Sequence, residues 1–151
     1  MGDVATAAFT DAETRALADI AGTMIPADPA LKVPGADDPA IMADIVKSLG
    51  RDLAHVREAV AAIGAKATGA FAGMDADSRV ALVTEYVANG GAAGAALARA
   101  VLQCYYRDDR VLISLGLEPR APFPKGHVLE QGDWSLLDPV RKRAPFWRRD
   151  R

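Results

Sequence analysis

Apolar side chains recur along the first part of the chain with the spacing of an α-helix. After Thr10 they stand three or four positions apart, at Leu17, Ile20, Ala21, Met24 and Ile25. This spacing places them on one face of a helix. Thr10 and Glu13 have the spacing of a capping box, and Pro26 cannot continue a helix. The pattern therefore predicts a first helix between Thr10 and Pro26.

A second helix is predicted to begin at Asp38 and Pro39, because aspartate is a favoured N-cap and proline fits the first helical position. Its apolar positions are Ile41, Met42, Ile45, Val46 and Leu49. Gly50 leaves two arrangements open, since the apolar pattern continues to Ile63: one long kinked helix or two shorter ones. The stretch before this helix, PADPALKVPGADDP (residues 26–39), is rich in proline, glycine and aspartate and is expected to form a loop that leads into the cap.

Two more helices follow in the pattern. Asp75 is the expected N-cap of the first, which ends near Gly90, and the second runs from Ala92 into a short turn that ends at Gly116. Their apolar positions are Val80, Leu82, Val83, Tyr86 and Val87, then Ala96, Leu97, Ala100, Val101, Cys104 and Tyr105. Residues 1–115 are thus predicted to form an all-α fold, a small bundle of four to six helices.

The small residues of segment 89–100, NGGAAGAALARA, are interpreted as a site of close helix packing. A dinucleotide-binding glycine motif would follow a strand, whereas these glycines follow a helix. No phosphate-binding loop is therefore predicted.

The tail, residues 116–151, differs from the bundle. It holds both tryptophans and five of the nine prolines, which prevent a long helix. It is too apolar for an ordinary disordered terminus, so an extended arm is predicted. Burying its aromatic rings alone does not offset the cost of ordering the backbone. The arm therefore packs many more groups on its own helices, wraps a partner, or stays partly mobile until a partner binds.

Composition indicates one globular domain, with 50% hydrophobic and 25% charged residues and a formal net charge of −2. The charge is unevenly distributed, because residues 141–151 hold six basic residues and one acid. Two interpretations of this basic end stay open: a solvated terminus, or docking to an acidic patch on a protein. Nucleic acid is disfavoured because the rest of the chain supplies no basic face.

Candidate chemistry is sparse. Cys104 is the only cysteine, so the chain can form neither an internal disulfide nor a cysteine-built metal site. A catalytic function would have to use Cys104, His55 or His127, and the sequence offers no third group to orient such a pair. The acidic pairs at 37–38 and 108–109 are interpreted as helix caps and turns. Tyr105 and Tyr106 point in different directions on a helix, so one ring is expected inside and the other towards the arm.

A cytoplasmic location is expected. The N-terminal segment MGDVATAAFTDAE carries acids where a secretory signal has a basic start and an apolar stretch. No apolar run is long enough to cross a bilayer. A periplasmic location stays open if a leader has been trimmed.

Three stretches together resemble the small third subunit of gluconate 2-dehydrogenase and its relatives: FTDAETRALADIAGTMIP, PGADDP and YYRDDRVLISLGLEPRAPFPKGH. The family motif maps onto Tyr105, Tyr106, Asp108, Leu115, Gly116, Pro122, Pro124 and Gly126. Two positions depart from it, Asp109 where proline is usual and His127 where tyrosine is usual.

The resemblance implies an accessory subunit without a cofactor. Its expected partner is a large FAD-dependent subunit of the glucose–methanol–choline (GMC) oxidoreductase type, which acts on a sugar, sugar acid or alcohol. The partner-binding residues are expected among the aromatics, prolines and leucines of the tail and its junction: Tyr105, Tyr106, Leu115, Pro122, Phe123, Pro124, His127, Trp134, Leu137, Phe146 and Trp147.

The alternative function is a stand-alone helical module. In it the arm folds over its own bundle and closes a pocket for a small apolar ligand.

Overall fold

The computed structural model describes residues 9–67, 69–120 and 131–144. Within these ranges the chain is helical and forms no strand, which confirms the all-α prediction. The helices are α1 (Asp11–Met24), α2 (Pro39–Ser48), α3 (Leu53–Lys66), α4 (Ala76–Asn89), α5 (Gly91–Tyr105), α6 (Asp109–Ser114) and α7 (Asp138–Arg141). Short 3₁₀ turns lie at Gly50–Asp52, Phe71–Gly73 and Trp134–Leu137.

The helices begin where the sequence places their caps. The Glu13 amide donates to Thr10 Oγ1 at 3.2 Å, and the Thr10 amide donates to the Glu13 carboxylate at 2.7 Å, which completes the capping box. Asp38 accepts the Ala40 amide at 3.0 Å. Asp75 likewise accepts the amide of the third residue that follows it, at 2.9 Å. Each cap satisfies a backbone donor that the helix itself leaves unpaired.

Gly50 separates two helices. Helix α2 ends at Ser48, Gly50 has a φ of +46°, and α3 starts at Leu53. A positive φ is accessible to glycine at little cost and interrupts the helical path. Of the two arrangements that the sequence left open, the structure has the one with two shorter helices.

Helix α5 lies at the centre of the bundle and packs against α2, α3 and α4, while α1 packs against α3 and α4. The core is apolar, and no polar or charged residue is buried among the described residues. Its largest fully buried side chains are Leu17, Ile20, Ile41, Ile45, Val56, Ile63, Leu97, Val101, Cys104 and Val111. The predicted apolar stripes of α1, α2, α3 and α5 thus form one core.

Helices α4 and α5 approach closely at Gly94. A Cβ atom at Gly94 would lie 2.8 Å from the carbonyl oxygen of Tyr86 and 3.1 Å from that of Val87. These distances are too short for a side chain. The interpretation of the small-residue segment as a packing site is confirmed.

The chain divides into two units, Met1–Pro119 and Arg120–Arg151. In the second unit, the 3₁₀ turn Trp134–Leu137 continues directly into α7. The described part of the tail contains no long helix, as the prolines predicted, but this short helical turn was not predicted from the sequence. Pro139 is accommodated because it stands in the first turn of α7.

Candidate partner-binding surface

The paired tyrosines stand at the end of α5. Tyr105 is 5% exposed and Tyr106 is 52% exposed. Their rings meet edge to face, with centroids 5.3 Å apart and an interplanar angle of 87°, a favourable aromatic arrangement. One ring therefore packs inside, as predicted. Tyr105 is a core residue that supports its neighbour, and Tyr106 presents the open surface. The expected contact of Tyr106 with the arm stays a prediction.

Arg107 ties the end of α5 to α2. Its Nε donates to Asp44 Oδ2 at 2.6 Å and its Nη2 donates to Ser48 Oγ at 2.5 Å. The hydrogen bond from this guanidinium is the main cause that lowers the pKa of Asp44. Charge-assisted bonds of this kind are stronger than neutral ones, so this contact fixes the end of α5 on α2.

Arg110 makes a second connection, between the caps of two helices. Its Nη2 lies 2.8 Å from Asp38 Oδ1 and 2.9 Å from Asp108 Oδ2. Asp108 also caps α6 by accepting the Arg110 amide at 2.9 Å. The side-chain hydrogen bonds from Arg110 are the first cause of a lowered pKa for both aspartates. The segments PGADDP and YYRDDR are thus in direct contact.

Helix α6 and the residues that follow it expose several apolar side chains to solvent. Val111 is its only buried residue, whereas Ile113, Leu115 and Leu117 are exposed. Gly116, with a φ of +74°, closes the helix, and the Leu117 amide donates to the Leu112 carbonyl at 2.9 Å. This hydrogen bond and the left-handed glycine form a Schellman end. Leu115, one of the predicted partner-binding residues, lies on the surface.

The described part of the tail also exposes apolar side chains. Trp134 is 64% exposed and Leu136 is 73% exposed, and Leu137 and Val140 are exposed as well. Asp133 starts the turn by accepting the Ser135 amide at 3.0 Å and the Ser135 hydroxyl at 2.6 Å. A shallow cavity of about 320 Å³ is lined by Gly132, Asp133, Trp134, Leu136 and Leu137. Trp134 and Leu137, both predicted for partner binding, therefore stand on one exposed turn.

The remaining predicted partner-binding residues lie outside the described residues, and their role stays a prediction. They are Pro122, Phe123, Pro124, His127, Phe146 and Trp147. Four further exposed apolar residues were not among the predicted partner-binding residues: Ile113, Leu117, Leu136 and Val140. The spacing of three residues from Trp134 to Leu137 to Val140 was the available signal for the last of these.

The candidate catalytic side chains are not brought together within the described part of the chain. Cys104 is 2% exposed, and burial is the first cause that raises the pKa of its thiol. A raised pKa disfavours the reactive thiolate. His55 lies on α3 beside Glu58, with Nδ1 3.8 Å from Oε2, and is open to solvent. His127 lies outside the described residues.

An open groove lies between α1 and α4. It has a volume of about 350 Å³ and is lined by Thr23, Met24, Val80, Val83, Thr84, Val87 and Ala88. Val80 was assigned to the apolar side of α4, but it is exposed on the groove, because the apolar stripe of α4 is wider than its neighbours cover. Val83 behind it is buried.

Among the described residues, no three histidine, cysteine, aspartate or glutamate side chains are grouped as a metal site. No helix in the described ranges has both the length and the hydropathy that a bilayer crossing needs.

Comparison with known proteins identifies no relative. No protein-family model, no curated protein and no solved structure matches the chain.

Proposed function

We propose that this chain is a non-catalytic small subunit that binds and stabilises a large FAD-dependent oxidoreductase of the GMC type. The large subunit would act on a sugar, sugar acid or alcohol. In this proposal FAD and the reacting groups belong to the partner, and the chain itself contributes surface. The helical bundle is the scaffold and the tail is the main contact.

The observation that carries the proposal is the exposed apolar turn of the tail. Trp134, Leu136, Leu137 and Val140 stand within seven residues and are all exposed. Isolated exposed apolar residues are ordinary, but a cluster around a tryptophan is typical of a protein interface. The bundle has exposed apolar side chains of its own at Ile113, Leu115 and Leu117.

The kind of partner is supported by the resemblance in sequence alone. The segments that carry it also have a physical role, since Arg110 joins PGADDP to YYRDDR through Asp38 and Asp108. The motif residues therefore hold the corner from which α6 and the tail follow.

The experiment that tests the proposal is purification of a tagged chain from its native host. We expect a yellow complex with the absorbance of flavin and a second, larger polypeptide. A colourless chain that purifies by itself would contradict the proposal.

The groove between α1 and α4 favours one other function, the binding of a small apolar ligand by the bundle. Its lining is mostly aliphatic, with Thr23 and Thr84 as the polar groups. The probe is Nile red, titrated into the isolated chain. One saturable site that the Val80→Asp variant lacks would favour this function, and equal binding by both proteins would remove it.

A further inference from the structure

We propose that the helical turn of residues 133–143 docks in an apolar groove of the partner protein that is bordered by carboxylates at one end. Lys142 and Arg143 contact those carboxylates, and Trp134 fills the groove. This inference rests on the proposed function and adds the chemistry of the surface that receives the tail.

The turn holds its shape through local contacts. Asp133 caps its start through Ser135, and the Lys142 amide donates to the Asp138 carbonyl at 3.1 Å near its end. Arg141 Nη1 lies 3.5 Å from Asp138 Oδ1. A segment that is already shaped loses less conformational entropy when it binds.

The apolar side chains of the turn form a face. Trp134, Leu137 and Val140 follow at intervals of three residues, and side chains three positions apart are neighbours on 3₁₀ and α-helical turns. All three are exposed. The shallow cavity lined by Gly132, Asp133, Trp134, Leu136 and Leu137 lies beside this face, and a side chain of the partner can enter it.

The charges of the turn are segregated along it. Arg141, Lys142 and Arg143 are consecutive at its end. Arg141 forms an ion pair with the carboxylate of Asp138, whereas no carboxylate of the described residues pairs with Lys142 or Arg143. Asp133, at the other end, is engaged with Ser135. A partner surface that carries carboxylates where residues 142 and 143 dock is complementary to these charges.

An anionic membrane is the other surface that combines an apolar interior with negative charge. The turn presents only a few apolar side chains to such a surface, and it also carries Asp133 and Asp138. Anionic headgroups repel both carboxylates. A protein groove with carboxylates at one end and none at the other accommodates the whole turn, so the protein is favoured.

Carbodiimide cross-linking of the purified complex tests the inference directly. The reagent joins a lysine amine to a carboxylate in salt-bridge contact. We expect a covalent product between Lys142 and an acidic residue of the large subunit, absent in Lys142→Arg and retained in Lys47→Arg, the matched change at an exposed lysine of α2. A complex that gives no Lys142 product, or a product unaffected by Lys142→Arg, would overturn the inference.

Charge reversal gives an independent measurement. The pair Lys142→Glu and Arg143→Glu should weaken the complex about tenfold or more, whereas Lys47→Glu with Arg51→Glu on the bundle should leave it within about twofold. Equal assembly of both variants would refute this inference and leave the proposed function standing. A wild-type chain that brings down no flavoprotein would remove both. Flotation with phosphatidylserine vesicles that the tail reversal abolishes would assign the turn to a membrane instead.

Discussion

The guanidinium of Arg110 donates hydrogen bonds to both carboxylate oxygens of Asp38, from Nη2 to Oδ1 at 2.8 Å and from Nη1 to Oδ2 at 3.1 Å. The two residues lie 72 positions apart in the sequence. Asp38 is the N-cap of α2 and Arg110 belongs to the first turn of α6. This one side chain therefore fixes the start of α6 on the start of α2.

Replacing Arg110 should loosen this corner. Arg110→Ala removes contacts to two partly buried aspartates, and we expect it to lower the free energy of unfolding by about 1–2 kcal/mol. Urea denaturation followed by circular dichroism measures the change. Arg51→Ala, at an exposed arginine of the bundle, is the control and should stay within about 0.5 kcal/mol of wild type. Equal stability of the two variants would contradict the structural role of Arg110.

The same contact should make the free energy of unfolding depend on pH in the acidic range. Arg110 lowers the pKa of Asp38 and of Asp108 in the folded protein. A group with a lowered folded pKa stabilises the protein above its unfolded pKa, about 4 for aspartate, and this stability is lost as the pH falls through the folded pKa. The difference in unfolding free energy between wild type and Arg110→Ala should therefore shrink below about pH 4. A difference that is constant from pH 7 to pH 2 would exclude the linkage.

Two glycine substitutions test the close approach of α4 and α5. Gly94→Ala places a methyl group 2.8 Å from the Tyr86 carbonyl oxygen, and we expect a loss of about 1–3 kcal/mol despite the better helix propensity of alanine. Gly64→Ala on α3 meets nothing within 4 Å and should stabilise the protein by up to about 1 kcal/mol. Thermal unfolding of both variants checks the pair. Stabilisation by Gly94→Ala would mean that the helices are further apart.

Truncating a tryptophan of the tail should weaken assembly. Trp134→Ala, and separately Trp147→Ala, should each cost about 2–4 kcal/mol of binding free energy, because tryptophans buried at an interface are typical hot spots. Affinity is measured by titrating the isolated large subunit with each variant, with Leu31→Ala, an exposed leucine in the loop before α2, as the control. Unchanged affinity in both tryptophan variants would show that the tail is not the main contact.

The sequence predicted the features that depend on near neighbours. The caps at Thr10, Asp38 and Asp75 were found because each acts on an amide two or three residues away. Whether the helix continues through Gly50 or ends before it could not be decided from the sequence. The outcome depends on how the apolar stripe of the following helix packs into the core. The Arg110 to Asp38 contact depends on the folded chain and leaves no local signal.

The candidate site was predictable only in part. Trp134 and Leu137 were chosen for their residue type, and the structure places both on one exposed turn. The turn itself was missed because the prolines of the tail argued for extended chain, although proline is compatible with the first turn of a helix. Tyr105 was chosen with Tyr106, but burial separates their roles.

The most direct measurement of the central claim is acrylamide quenching of fluorescence at position 134. The Trp147→Phe change leaves one tryptophan site in this chain, and 5-hydroxytryptophan incorporated there is excited at wavelengths where the tryptophans of the partner do not absorb. Acrylamide is neutral, so the basic residues nearby do not concentrate it. The isolated chain should show position 134 largely accessible, in keeping with the 64% exposure of Trp134, and the yellow complex reassembled with the unlabelled large subunit should show it shielded. A Trp134 that is already shielded in the isolated chain, or one that is quenched equally in the complex, would contradict the claim that a flavoprotein covers the tail.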